Sequence, residues 1–173
     1  DNVKVPISNI VGPENDGWEV AKYLLEFERG GSSVATRLHV DMAELKMLLD
    51  RVEGEDALKG RAKEIGIKIS ALSQMETDMQ SKIARGEKPG AGSSLMKIMA
   101  STLGQEISTI KMEAIGNYSL PHNNILLLNE EVTIGEPEHQ TITAGYLNDR
   151  ASTVFGGARE VQKNIIAKSV LGL

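Results

Sequence analysis

Apolar residues recur at helical spacing along most of this chain, and the recurrence sets out its elements. Ile65, Ile69, Leu72, Met75, Met79 and Ile83 follow one another at steps of three or four, one face of a helix predicted over 57–84. Leu95, Met99, Leu103, Ile107, Ile110 and Ala114 mark a second such face, with Ser93 or Ser94 as its N-cap and Gly116 as its stop. Upstream, Trp18, Val20, Ala21, Leu24 and Leu25 begin a helix that Asn15 or Asp16 can cap. It is expected to continue past Gly30-Gly31-Ser32-Ser33, a run that weakens it, to a resumed face of Met42, Leu45, Leu48, Leu49 and Val52. Shorter helices are predicted over 142–154 and after Gly156-Gly157, the last with Val161, Ile165, Ile166 and Val170 on one side.

Two stretches break the helical rhythm. In residues 1–15, Val3 and Val5 alternate before Pro6 and Gly12-Pro13, which predicts a strand and a turn. Residues 117–140 carry Pro121, paired asparagines, Pro137 and the apolar run Ile125-Leu126-Leu127-Leu128, and predict a long irregular connection of the functional or interfacial kind. Long helices with short connections predict an all-α fold, an up-and-down bundle of four to five helices.

Composition narrows the choice. The chain has 173 residues, 40% hydrophobic but only 3% aromatic, so one domain with an aliphatic core is expected, its seven methionines serving as packing. A net charge of −5 without a basic stripe argues against a nucleic-acid partner. No apolar run is long enough for a membrane span, and no signal peptide is expected. The absence of cysteine suits a reducing compartment. His39, His122 and His139 lack metal-ligand spacing, and no metal site is expected.

The last twenty-eight residues, YLNDRASTVFGGAREVQKNIIAKSVLGL, hold the main candidate for chemistry. Glu160 stands in the first turn after the glycines and Lys163 and Lys168 follow, an order that suits the helix dipole. A Gly-Gly turn opening a helix leaves backbone N–H groups uncrowded, able to hold a phosphate, a carbonyl oxygen or a flavin edge. The same residues read equally as an ordinary helix–turn–helix at a chain end.

The string R-x-x-x-x-F-G-G-x-x-E-V-Q-x-N-I-I-A-x-x-V-L-G-L closely resembles the C-terminal signature of acyl-CoA dehydrogenases. The opening, DNVKVPISNIVGPENDGWEVAKYLLEFERGG, resembles the family's passage from its middle β-domain into the first long helix of its C-terminal domain. The resemblance implies that residues 1–15 are the tail of the middle domain and its junction, that 16–173 are the C-terminal helical bundle, and that the chain is part of a longer protein.

It also implies a reaction and a site. Many family members place a catalytic glutamate where this chain has Gly156. A minority carry it on the first long helix before an arginine, where this chain reads Leu25-Glu26-Phe27-Glu28-Arg29. The resemblance therefore implies Glu28 as the catalytic base, with Glu26 the nearest competitor, and Arg29 and Gly157 as substrate-binding. Ala158, Arg159 and Glu160, with Gly116 and Asn117, are implied as binding FAD. Glu113 and Asn117 depart from the family's usual Gln-x-x-Gly-Gly, and its Arg-x-x-Phe-Gly segment is not visible. The implied partners are an acyl-CoA substrate, electron-transfer flavoprotein and further copies in a dimer or tetramer. The implied location is bacterial cytoplasm rather than mitochondrial matrix, and the chain alone is expected to lack turnover. A non-catalytic subunit of a mixed tetramer and a purely structural helical assembly domain remain open as alternatives.

Overall fold

The computed structural model describes residues 1–28, 33–53, 55–121 and 134–173, apart from the side chains of Glu26, Phe27, Glu28 and Glu138. Within these residues every regular element is helical, the α-helices being α1 (Gly17–Glu28), α2 (Val34–Leu49), α3 (Asp56–Ala84), α4 (Gly92–Ile115), α5 (Ile142–Asp149) and α6 (Arg159–Ile166). Short 3-10 turns follow α4 (Gly116–Ser119) and α5 (Arg150–Thr153), and a π-turn, Ala167–Leu171, extends α6.

The core lies where α2, α3 and α4 meet. The stripe expected on α3 is buried at Ile65, Ile69, Leu72 and Met79, while Met75 and Ile83 pack at its margin. On α4 the buried face is Met96, Leu103, Ile107, Ile110, Ala114 and Ile115, and Leu95 is turned outward. α2 contributes Ala35, Leu38, Met42, Leu45, Leu48 and Leu49. Cross-helix bonds give the directions. Arg61 pairs with Glu113, and Lys68 with Glu106 at 3.3 Å, so α3 and α4 run antiparallel. Val34 meets Glu76 and His39 meets Ser73, so α2 and α3 are antiparallel too. Neither Ser93 nor Ser94 caps α4; its N-cap is Ala91, and Ser93 Oγ donates to the Gly90 carbonyl instead.

Two further expectations change. The opening segment makes no strand: Val3 and Val5 are exposed and only a 3-10 turn, Ile7–Asn9, forms. A strand needs an edge to bond to, and the described residues offer none. The first helix does not run unbroken to Val52, because Ser33, at φ −68° and ψ 57°, lies outside helical geometry and α2 starts after it. On α1, Trp18, Tyr23 and Leu24 are exposed, while Val20, Ala21 and Leu25 are partly buried. The run Ile125–Leu128 and His122 lie outside the described residues.

Candidate functional site

The Gly156-Gly157 turn is held at both ends by polar groups of α4. Before it, Arg150 donates from Nη2 to the Gln105 carbonyl at 3.3 Å and the Ser108 hydroxyl at 2.9 Å. The Arg150 guanidinium also lies 4.2 Å from the centre of the Tyr146 ring, within cation–π range. Gln105 Nε2 donates in return to the Asp149 carbonyl at 2.9 Å, and Lys97 donates to the Ser152 carbonyl at 2.9 Å. After the turn, Arg159 Nη2 donates to Thr102 Oγ1 at 3.1 Å. The bonds from Gln105 and Lys97 give partners to carbonyls at the end of α5 and in the 3-10 turn after it.

Between those fastenings both glycines take the left-handed region, at φ 65° for Gly156 and 100° for Gly157. Any side chain would be strained there. A Cβ on Gly156 would nonetheless meet nothing, so the turn faces open space. α6 begins at Arg159 with Ala158 as an N-cap that makes no side-chain bond. The first-turn N–H groups are thus left for an acceptor from outside, and they carry the positive end of the helix dipole. This cradle fits a carbonyl or phosphate oxygen, and hence the edge of a flavin.

α6 turns a polar residue toward the bundle. Pinning Arg159 to Thr102 turns the 159–162 side of the helix toward α4, so Gln162 is fully buried. Val161 is half exposed and Val170 more so. Gln162 Nε2 and Oε1 and Arg159 Nε find no hydrogen-bond partner among the described residues.

In front of the turn opens a cavity of about 1020 Å³. Leu38, Met96, Ala100, Ile107 and Ile142 supply apolar wall, and Leu25 of α1 and Phe155-Gly156 share one cavity with them. Charge is gathered along it at Arg37, Asp41, Lys111 and Asp149. Lys111 is bonded to Glu44 at 2.7 Å. Burial, with Glu44 and Asp149 as like charges, pushes the Asp41 carboxyl above its ordinary 3.8, against the pull of Lys111 and Arg37. No cluster of three metal-ligating side chains exists among the described residues.

The residues singled out by sequence separate into three groups. Gly157, Ala158, Arg159 and Glu160 stand together at the turn. Gly116 and Asn117 form an exposed end of α4, where the left-handed residue is Gly116 at φ 52° and not Asn117. Roughly 21 Å of helix rise separates Gly116 from Thr102, where Arg159 is anchored, so the two sets do not meet in one protomer. Glu113 is engaged by Arg61. The backbone of Glu28 ends α1, but its side chain, that of Glu26 and all of Arg29 lie outside the described residues. Sequence reasoning passed over the structural duty of Arg150, although it is the arginine of the C-terminal string. It also missed Gln105 and Gln162, whose polar types gave no periodic signal.

FadE34 of Mycobacterium tuberculosis strain H37Rv, an acyl-CoA dehydrogenase, is 27% identical over all of this chain, which covers 22% of that protein. The ChsE4–ChsE5 complex from Mycobacterium tuberculosis superposes with a TM-score of 0.74 at 22% identity, over 98% of this chain and 44% of that one. PigA with FAD and proline superposes with a TM-score of 0.76 at 16% identity, over 100% of this chain and 43% of that one. The chain thus spans less than half the length of the proteins it resembles. The model of the acyl-CoA dehydrogenase C-terminal domain matches residues 15–171, nearly the whole bundle, and the chain belongs to the acyl-CoA dehydrogenase family as its C-terminal helical domain.

Proposed function

We propose that this domain serves the α,β-dehydrogenation of an acyl-CoA thioester, with Glu28 as the base and FAD as the hydride acceptor. The observation that carries the reading is the shared cavity. Leu25, one helical turn before Glu28, and Gly156, the first residue of the open turn, line the same space. A proton leaves the carbon α to the thioester for the Glu28 carboxylate. FAD, when bound, takes the hydride from the β-carbon. The N–H groups of Gly157 and Ala158 would serve as donors to the thioester oxygen, which gains negative charge and where fixed donors contribute most. Arg29 would lie on the coenzyme A side, and Arg159 and Glu160 would help to hold the flavin. The position of Gly116 and Asn117, far along α4, suits contact with a flavin nucleotide held by a neighbouring copy in a dimer or tetramer. Electron-transfer flavoprotein is the proposed acceptor of the electrons.

The test is Glu28→Gln in the holoenzyme. Loss of the base should slow flavin reduction by acyl-CoA about 10²- to 10⁴-fold, read as bleaching in a stopped flow. Reduction at the parental rate would refute the assignment.

A second reading is a non-catalytic subunit paired with an active homologue. It is favoured by Glu113, which replaces a flavin-contacting glutamine in the family pattern and is bound to Arg61. Purified protein that binds FAD but never bleaches with any acyl-CoA, unless a homologous subunit is added, would select it.

A further inference from the structure

Gly156 and Gly157 cannot aim their own N–H groups, because glycine backbone is free to turn. Among the described residues no N–H of Gly156, Gly157 or Ala158 is bonded. The Phe155 N–H still reaches the Ala151 carbonyl at 3.0 Å, and bonding resumes with the Gln162 N–H on the Ala158 carbonyl, also at 3.0 Å. Direction must therefore come from fastenings on either side. Upstream there are several, from Lys97, Gln105 and Arg150. Downstream the first is Arg159, and its bond is to Thr102.

Thr102 is prepared to receive that bond. Its hydroxyl donates to the Ile98 carbonyl at 2.9 Å, one turn back along α4, as threonine can within a helix. With the hydrogen committed there, an oxygen lone pair is left to accept from Arg159 Nη2 at 3.1 Å. The arginine itself is poorly placed for stability. It is the first residue of α6, where the helix dipole disfavours a cation. Its Nε is buried with no partner among the described residues, which is costly. A neutral residue would start the helix at lower cost, so the pair points to placement of the helix start, not to packing.

We propose that Thr102 is a positioning residue for the donor turn: by holding Arg159 against α4 it fixes the first turn of α6, and with it the direction of the Gly157 and Ala158 N–H groups. This rests on the reading that those N–H groups serve the thioester oxygen. A misplacement on the order of 1 Å can cost about 10²-fold in rate without any contact to substrate.

The experiment uses the holoenzyme with Thr102→Val, Thr102→Ser, Arg159→Met and the Thr102→Val/Arg159→Met pair. Thr102→Val keeps the branched shape and removes the acceptor. Its flavin reduction at saturating acyl-CoA should fall about 10- to 100-fold, while KM changes by less than about threefold. Thr102→Ser keeps the hydroxyl and should stay within about threefold of the parent. Arg159→Met should match Thr102→Val, and it reports the effect if the valine variant does not fold. Exchange of the Gln162 amide, which closes the first turn of α6, should speed up about tenfold or more in Thr102→Val, with exchange in α3 unchanged. In the Arg159→Met background, Thr102→Val should lower the rate by no more than about twofold further, because the bond is already absent. A fully additive loss would overturn the proposal, since two independent defects behave that way. Equal losses in Thr102→Val and Thr102→Ser would do the same, since the hydroxyl would then not be the cause. A parental rate in Thr102→Val, whatever the exchange, would also overturn it and leave the proposed reaction intact. A parent whose flavin no acyl-CoA bleaches would remove the reaction, and the positioning role with it, even where Gln162 exchange upholds the Thr102–Arg159 tie.

Discussion

Where α2, α3 and α4 meet, Leu45, Ile69, Leu72 and Ile110 have no exposed surface and touch other aliphatic side chains. Where α5, α6 and the turn between them meet α4, contact is made largely through Gln105, Arg150, Lys97 and Arg159, and the one fully buried residue of α6 is Gln162. The first region gains its free energy from burial, which is large but non-directional. The second gains less per bond, but each bond fixes a particular carbonyl at a particular place. That suits a turn whose backbone N–H groups must be aimed. The domain thus separates stability from placement, and the two regions should answer mutation differently.

The aliphatic region should show the largest effect. Ile110→Ala removes a fully buried side chain and leaves a cavity, for a loss of about 2–5 kcal/mol in urea-induced unfolding. A cost below about 1 kcal/mol would mean that the helices close over the gap, and that the core is looser than its burial implies.

Arg150→Ala tests the other side. It deletes the bonds to Tyr146, Gln105 and Ser108, with an expected global cost of about 1–3 kcal/mol. Its signature should be local: faster amide exchange over 150–157 and weaker flavin retention, with exchange in α3 unchanged. Uniformly faster exchange throughout the domain would erase the distinction between the regions.

Gln162→Met sharpens the contrast further. The amide is buried with neither polar atom bonded among the described residues, and such atoms are costly to desolvate. An unbranched apolar replacement should therefore leave stability unchanged or raise it by up to about 2 kcal/mol. Destabilisation by more than about 1 kcal/mol would show that the amide makes bonds in the assembled enzyme and belongs with the placing groups.

The same division governs how far the chain could be read in advance. Periodicity identified α3 and α4 to within about two residues and named most of their buried positions, because a helix burying one face must repeat its apolar residues. It missed the break at Ser33, where an apolar pattern resumes in nearly the same phase across a changed backbone. It mistook Val3 and Val5 for strand, since alternation says what a segment could pair with and not whether an edge is present. It grouped Val161, Ile165, Ile166 and Val170 on one side of α6, whereas Val161 and Val170 are exposed and Gln162 is the residue turned inward. The glycine turn was legible because left-handed backbone demands its own residue type. Glu76, Gln105 and Arg150 were not, because a long-range side-chain-to-backbone bond leaves no pattern along the chain.

The smallest effect concerns Asp41, which lies on α2 beside the cavity, between the two regions. Burial and the like charges of Glu44 and Asp149 raise its carboxyl above 3.8, and Lys111 and Arg37 offset only part of that. The folded state therefore holds the proton more tightly than the unfolded chain. Protonated Asp41 adds stability at low pH, and this contribution is lost as pH rises from 3.8 through the raised folded value. Asp41→Asn, which cannot ionise, should be more stable than the parent at about pH 7, by less than about 1 kcal/mol because the site is partly open to solvent. The advantage should shrink toward zero below about pH 3, where the parent carboxyl is largely protonated in both states. Thermal unfolding of both proteins at the two pH values decides it. If the variant is instead weaker near neutrality and equal in acid, pairing with Lys111 and Arg37 outweighs desolvation. Asp41 would then belong with Arg150 and Gln105, among the groups that set position across α4.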